Sequence, residues 1–458
     1  KGYDVQIPSY TRMTPEQRKL YLEVPLNGVT LVSGPPGTGK TVIALMRAAE
    51  AAKAGTTVVV GMFNHTLRAY VTRTEAEFAM PTVKTVDRIF RETWYQLMPP
   101  PFYEDAWVLL DVPFAEKDEA KALGAQWRKD FYIPGRRGKG TWAVEGNKYR
   151  AASAPFSRWQ PHAPLPMDAD DRRRIDWDRL AQGLLNVGEG ANPVDWDHLV
   201  IDEGQDFPPS FYKALNALVR VFGHERPEKP PSITVLADEN QRLTAGVNSR
   251  IEDIIRALSV PEARHFKLGQ NFRNTVQIAR VAEHFYSGTP TGKPELPDRS
   301  GGKAELRRFS NHEAVCAFIQ TFADTNEDQT IGVLVHDDNA TRQWYYDALG
   351  QRLGDEVVHT YTSSGGKDQA DQIPFDEAGV VLVLNRSSCK GLEFDTVFVV
   401  DMQNANVDQS ALDFFKMGMY VMCSRARSLL FLTYVGLPET KYPALALMPG
   451  PEIITQAG

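Results

Sequence analysis

The sequence predicts an α/β protein of two domains on parallel sheets, with a small α+β insertion in the first. Three observations carry this. At 458 residues the chain exceeds what one hydrophobic core holds. Both halves alternate apolar strand-like runs with helix-like stretches, the pattern of layered α/β domains. Between residues 99 and 195 that alternation gives way to a stretch rich in bases and aromatics. The expected units are therefore 1–98 with 196–258, the insertion at 99–195, and a second domain over 259–458.

The first element is "NGVTLVSGPPGTGKTVIALMRAAEAAKAG". It reads as a strand over Val29–Val32, a Gly/Pro turn, then a helix rich in Ala and Leu. The turn, Gly34-Pro35-Pro36-Gly37-Thr38-Gly39-Lys40-Thr41, matches GxxxxGK[ST] in full. Glycines let backbone N–H groups close around phosphate oxygens, and the following helix N-terminus adds a positive dipole. Lys40 would reach the β- and γ-phosphates of ATP, and the Thr41 hydroxyl would sit on Mg²⁺. A chance Gly-rich loop would lack the strand before and the helix after.

Next comes "WDHLVIDEGQDFPPSFY", an apolar strand ending in two acids. Asp202 would hold Mg²⁺, and Glu203 would orient and deprotonate an attacking water. Two acids after a strand often only solubilise a loop. Their place downstream of the phosphate loop favours the catalytic reading.

The insertion is the most unusual part of the chain. From Arg128 to Arg158 it carries a net charge of +6, against −7 for the whole protein. Arg136, Arg137 and Lys139 lie close to Trp142, with Trp127, Phe131, Tyr132, Tyr149, Phe156 and Trp159 interleaved or flanking. Cations that track phosphates, beside rings that stack on bases, suit a nucleic-acid contact surface. The competing reading is a small domain whose rings form its own core.

In the second half, "TIGVLVHDD", "GVVLVLNRSS", "DTVFVVDM" and "SLLFLTYVG" read as strands, and "SGTPTGKPELPDRSGGKAEL" as an exposed loop. No apolar run of roughly 18 residues occurs, so no membrane span is expected. The start "KGYDVQIPSY" shows no apolar leader segment. Cys316, Cys389 and Cys423 show no paired spacing, so neither a disulfide framework nor a zinc site is expected, and a reducing cytoplasm fits.

The box "IDEGQD" resembles the acidic motif of superfamily 1 helicases of the UvrD/Rep type, and further boxes follow in that family's order. "MTPEQRKLYL" resembles the Q motif, which implies Gln17 at the adenine edge. "VVVGMFNHTLRAYV" and "VKTVDRIF" resemble the motifs that face single-stranded nucleic acid, implying Phe63, Asn64 and Thr85. "ITVLADENQRL" implies Gln241 as a γ-phosphate sensor. "LGQNFRNTVQIARVA" implies Phe272 stacked on adenine and Arg273 at the γ-phosphate. "SSCKGLEFDTVFVVD" implies Gly391 and Glu393 at phosphate and sugar, and "MGMYVMCSRARSLLFLTYVG" implies Arg425 as a second arginine contact.

The resemblance implies two RecA-like P-loop domains closing on ATP and Mg²⁺. It implies an ATP-dependent helicase or translocase on single-stranded or junction DNA, RNA being the alternative track, with 3′→5′ polarity. A protein loading partner is compatible with it. Some 120 residues separate Arg273 from Lys390, leaving no room for the family's large second accessory subdomain, so a compact form is expected. The start of the insertion, "DVPFAEKDEAKALGAQWRKDFYIP", resembles a small domain of uncertain function found in plasmid-associated and primase-like proteins, and a strand, a helix and a returning strand are expected there.

Three departures fall on the nucleic-acid side. "RLTAGVNSR" after Gln241 lacks an aromatic pair, Asp87 stands where a His is usual, and "NRSSCKGLEF" replaces the usual Thr and His. They keep open a second class: an ATP-gated binding module that clamps nucleic acid or protein without unwinding. A P-loop kinase for a small molecule would leave Gln241, Arg273 and "CKGLEFD" unexplained.

Overall fold

The computed structural model describes residues 14–24, 26–62, 82–97, 107–131, 140–171, 174–187, 194–241, 248–288, 292–336, 338–361, 373–374, 377–436 and 442–458. Helix α1 (Pro15–Leu22) opens the first domain with a capping box, Thr14 and Gln17 each bonding the other's backbone N–H. Strand β1 (Val29–Ser33) leads into α2 (Lys40–Lys53), followed by β2 (Val58–Met62), β3 (Thr82–Thr85) and α3 (Val86–Leu97). After the insertion come β7 (His198–Ile201), β8 (Ser232–Ala237) and β9 (His265–Lys267).

These strands form one parallel sheet in the order β3-β2-β7-β8-β1-β9. Every residue of β7 and β8 is buried. That is the continuous burial expected of a parallel sheet covered on both faces. One face packs on α3 and on α7 (Pro209–Glu225), the other on α1 and α2.

The second sheet is also wholly parallel. Its strands are β10 (Ala304–Phe309), β11 (Ile331–Val335), β12 (Val358–Tyr361), β13 (Val381–Asn385), β14 (Phe394–Val399), β15 (Ala426–Val435) and β16 (Ile454–Ala457). Their order is β12-β13-β11-β14-β15-β10-β16. The two expected parallel-sheet domains are present.

Two expected boundaries move. The sequence predicts a second domain from residue 259, but His265–Lys267 pairs with β1, so the first sheet runs past that point. The sequence predicts an insertion over 99–195, yet among the described residues only its first part has its own sheet and core. Strands β4 (Trp107–Leu110), β5 (Gln126–Arg128) and β6 (Thr141–Glu145) form an antiparallel sheet ordered β4-β6-β5 around helix α4 (Lys117–Ala122), with a core of Val108, Leu110, Ala120, Trp142, Phe156 and Trp159. Ala163, Leu165, Ile175, Leu180 and Val194 instead join the core of the first domain. Helix α6 (Trp177–Leu185) packs there because Trp177 meets Phe90 and Phe211 edge-on at ring distances of 5.1 and 5.0 Å. A run of bases and rings hides that shift, since burial rather than composition marks it.

Among the described residues the three cysteines are buried and form no disulfide, and no helix is long and apolar enough to cross a membrane.

Candidate nucleotide and catalytic site

The C-terminal ends of β1, β7 and β8 converge on one edge of the first sheet, where open α/β sheets bind ligands. Between β1 and α2 runs the loop Gly34–Gly39. Gly37 holds φ +79°, and a Cβ there would press on Asn271 Oδ1 and lie 3.0 Å from Arg273 Cβ. A Cβ on Gly34 would sit 2.5 Å from the Leu268 carbonyl oxygen. Both positions therefore require glycine. The loop is braced from two sides. Gln17 Nε2 donates to Thr38 O at 3.0 Å, and Phe272 N donates to Gly37 O at 2.8 Å. Pro35 is buried in this loop, and Gly39 adopts φ +76°.

Lys40 Nζ donates to the carbonyls of Gly34 at 2.5 Å and Pro35 at 3.0 Å, so it lies across the loop. Burial lowers its pKa, partly opposed by the charges of Asp238, Glu203 and Asp202. Thr41 Oγ1 donates to Asp202 Oδ2 at 2.9 Å. Hydroxyl and carboxylate thus meet as an oxygen pair suited to Mg²⁺, which takes oxygen ligands and keeps water in its shell. Burial, then the neighbouring Glu203 charge, pushes Asp202 upward. For Glu203 burial is outweighed by Lys390, Gln205 and Lys40, leaving it below the usual carboxylate range. The two adjacent acids are driven apart, and Glu203 is the one held ionised.

Glu203 sits in the left-handed region at φ +51°, an uncommon conformation for a side-chain-bearing residue. Gln205 Nε2 donates to Glu203 Oε2 at 2.6 Å, while Gln205 Oε1 accepts from Asp238 N at 2.8 Å. Gln241 Nε2 donates to Asp238 Oδ2 at 2.8 Å, and Arg425 Nη2 donates to Gln241 Oε1 at 2.7 Å. This buried chain of polar contacts runs from Glu203 through Gln205, Asp238 and Gln241 to an arginine of the second domain.

Arg273 and Arg425 play unequal parts. Arg425 is 1% exposed, and its guanidinium is committed to Val421 O, Leu392 O, Ser424 Oγ and Gln241. Arg273 bonds Glu393 through Nη2, whereas its buried Nε and Nη1 have no hydrogen-bond partner among the described residues. An unpaired guanidinium edge fits an anionic ligand such as a phosphate. Burial would raise Glu393, but the charges of Arg273 and Arg427 hold it down at about 2. Gly391, at φ +77°, turns the chain just ahead of it. Phe272, whose backbone bonds the loop, is 45% exposed.

The sequence expectations for the nucleic-acid side fare differently. Phe63, Asn64, Arg136, Arg137 and Lys139 lie outside the described residues. Thr85 is buried at the end of β3. Trp142 is 8% exposed in the core of the insertion, so packing, not stacking on bases, is what its ring does. Its neighbour Trp127, edge-on to it at 5.7 Å, is 50% exposed, and Phe114 of the same insertion is exposed as well.

Sequence reasoning missed Gln205, Asp238 and Lys390, all buried in or beside the site. All three lie inside boxes already singled out, and Asp238 directly follows an apolar strand. That position was the available signal.

Residues 18–247, half of the chain, match a family model described as an AAA domain. The C-terminal domain of a possible DNA helicase from Lactobacillus plantarum WCFS1 aligns at 24% identity over 40% of this chain and 98% of its own, with a TM-score of 0.29. No curated protein matches.

Proposed function

From the premise that the chain belongs to the AAA domain family, a nucleotide-binding class, we propose that it is an ATP hydrolase driving a helicase or single-strand translocase. The track proposed is single-stranded or junction DNA with 3′→5′ polarity, in the cytoplasm, with a protein loading partner. One observation carries this reading: Arg425 of the second domain bonds Gln241 of the first, on a line leading to Glu203. A small-molecule kinase has no need of such a link, whereas a motor must tell one domain what the other has hydrolysed.

The residues divide the chemistry as follows. The Gly34–Gly39 backbone and Lys40 cradle the phosphates, while Phe272 stacks on the base and Gln17 braces the loop beside it. Thr41 and Asp202 would hold Mg²⁺, which supplies charge on the phosphate oxygens. Glu203 orients the attacking water and takes its proton. Arg273 presents its free guanidinium edge to the γ-phosphate as charge builds there. Glu393 holds that guanidinium in place.

The nucleic-acid contact proposed for the insertion combines the exposed Trp127 ring with Arg136, Arg137 and Lys139, which follow it in the sequence.

The test is phosphate release from ATP without polymer, with single-stranded DNA and with single-stranded RNA. Strong stimulation by one polymer supports the motor and names its track. Equal rates in all three would sink it. The lack of an aromatic pair in "RLTAGVNSR" favours a second reading, an ATP-gated clamp. A clamp predicts stimulated hydrolysis without strand separation or displacement of a bound protein.

A further inference from the structure

Lys390 Nζ meets Asp206 Oδ1 at 2.5 Å, and the two side chains are 6% and 4% exposed. The pair crosses from the turn between β13 and β14 to the turn after β7. A buried ion pair is weak evidence for stability, because desolvation consumes most of the Coulombic gain; its best-attested use is to fix one arrangement among several.

Asp206 ends the short turn Gly204–Asp206 that directly follows Glu203. Its backbone N–H donates to Glu203 O at 2.9 Å. Tyr212 OH anchors the same turn at Gly204 O, 2.6 Å away, and Ser249 N reaches Gln205 O at 3.1 Å. On the far side, Lys390 is followed by Gly391, Leu392 and Glu393. Leu392 O accepts from Arg425 at 3.5 Å, and Glu393 pairs with Arg273. One short segment of the second domain therefore touches the turn that carries the base and also holds both arginines.

We propose that Lys390 and Asp206 are positioning residues that seat the 390–393 segment against the acidic turn, so that Glu203 and Arg273 face the same phosphate. The inference rests on the hydrolase reading above. It goes beyond that reading by assigning alignment of base and arginine to a pair that touches no substrate. Left-handed Glu203 makes the need concrete: a turn under strain keeps its aim only while its far end is tied down.

The experiment uses the full chain, labelled through Arg220→Cys and Asp324→Cys on exposed positions of the two domains. The native cysteines are buried, so labelling is selective. Steady-state turnover and nucleotide-free energy transfer are measured in Lys390→Met, Lys390→Arg, Asp206→Asn and the Asp206→Asn/Lys390→Met double variant. The double variant carries no unpaired buried charge, which guards against loss through misfolding. Expected are a fall in kcat of tenfold or more for Lys390→Met and Asp206→Asn and a KM for ATP within threefold of the parent. Lys390→Arg recovers most of the rate, the double variant is no worse than either single, and energy transfer drops in both singles. The proposal is overturned by kcat within twofold of the parent, by a loss confined to KM, or by unchanged energy transfer with only a lower melting temperature. If the parent releases no phosphate, the hydrolase reading falls and energy transfer alone decides the pair.

Discussion

Arg425 Nη2 donates to Gln241 Oε1 at 2.7 Å, joining the segment between α12 (Leu412–Cys423) and β15 to the turn after β8. Both side chains are buried, at 1% and 3% exposure. A guanidinium withdrawn from water and bonded to a neutral amide holds its partner more firmly than a neutral donor could. Gln241 in turn holds Asp238, so an unbroken line of contacts joins the second domain to Gln205 and Glu203.

Replacing Gln241 by Ala cuts that line without emptying the phosphate loop. A charge-assisted bond of this kind contributes roughly 1.5–3 kcal/mol. Gln241→Ala is therefore expected to lower kcat by about tenfold to a hundredfold and to leave nucleotide affinity nearly unchanged. Stimulation by polymer should weaken in parallel. Single-turnover hydrolysis beside equilibrium titration of a fluorescent nucleotide separates the two; affinity falling while turnover held would contradict the linkage.

The phosphate loop makes a sharper demand. Thr41 Oγ1 bonds Asp202 Oδ2 at 2.9 Å, and the two oxygens form the candidate Mg²⁺ site. Thr41→Ala is expected to raise the Mg²⁺ concentration for half-maximal phosphate release by about tenfold or more. Lys40→Ala should abolish turnover at any Mg²⁺ concentration. A Mg²⁺ titration of the Thr41 variant matching the parent would move the metal elsewhere.

Arg273 should outrank Arg425 as the charge at the γ-phosphate, because among the described residues Arg273 keeps buried N–H groups without a partner and Arg425 does not. Loss of one preorganised donor to a developing charge costs about 10²–10³ in rate. Arg273→Ala is expected to fall in that range with nucleotide affinity kept. Arg425→Lys keeps charge near Gln241 and is expected to lose less. Measured kcat values in the opposite order would reverse the assignment.

How much of this was readable from residues alone divides along physical lines. The phosphate loop, the two acids and the sheet strands were legible because each depends on local pattern: glycines at fixed offsets, or an apolar run ending in a charge. The end of the first domain was not, since β9 is three residues long and its assignment depends on pairing with β1. Trp142 and Trp127 could not be ranked from composition either. Both stand among bases, and only the packing of β5 against β6 shows that one ring faces inward and its neighbour outward. Lys390 was hidden for the same reason, its partner lying 184 residues away.

His198 makes stability depend on pH below neutrality. Burial, with Arg47's charge behind it, lowers its pKa to about 4, and its ring nitrogens lie 2.7 Å from Ser232 Oγ and 3.1 Å from Thr234 Oγ1. In the unfolded chain the imidazole returns to about 6.5. The folded value is depressed, so between those values the unfolded chain binds more protons. Stability contributed by the neutral ring is fully present above about 6.5, falls as pH drops toward about 4, and is flat below; the full difference is about 3 kcal/mol. Urea unfolding at several pH values between 7.5 and 4 should show a shallower pH slope for His198→Gln than for the parent. Equal slopes would assign the dependence to other groups.

The insertion's role turns on which groups are free to touch a polymer. Trp127 is half exposed, whereas Trp142 is packed beneath it. Stacking of one base on an aromatic ring contributes about 1–3 kcal/mol, and each phosphate neutralised adds roughly 0.7 to the salt slope for a single strand. Trp127→Ala is expected to weaken single-strand binding roughly tenfold with its salt slope intact. Replacing Arg136, Arg137 and Lys139 together by Ala should flatten the slope by up to about 2. Trp142→Ala should instead unfold the small domain, seen as a lost melting transition, because it removes a large ring from a core of few residues. Fluorescence anisotropy of a labelled oligonucleotide from 50 to 300 mM salt reads the first two effects. A parent that binds with a slope shared by the triple variant would place the contact surface elsewhere on the molecule, since stacking leaves the slope alone and only lost phosphate contacts flatten it.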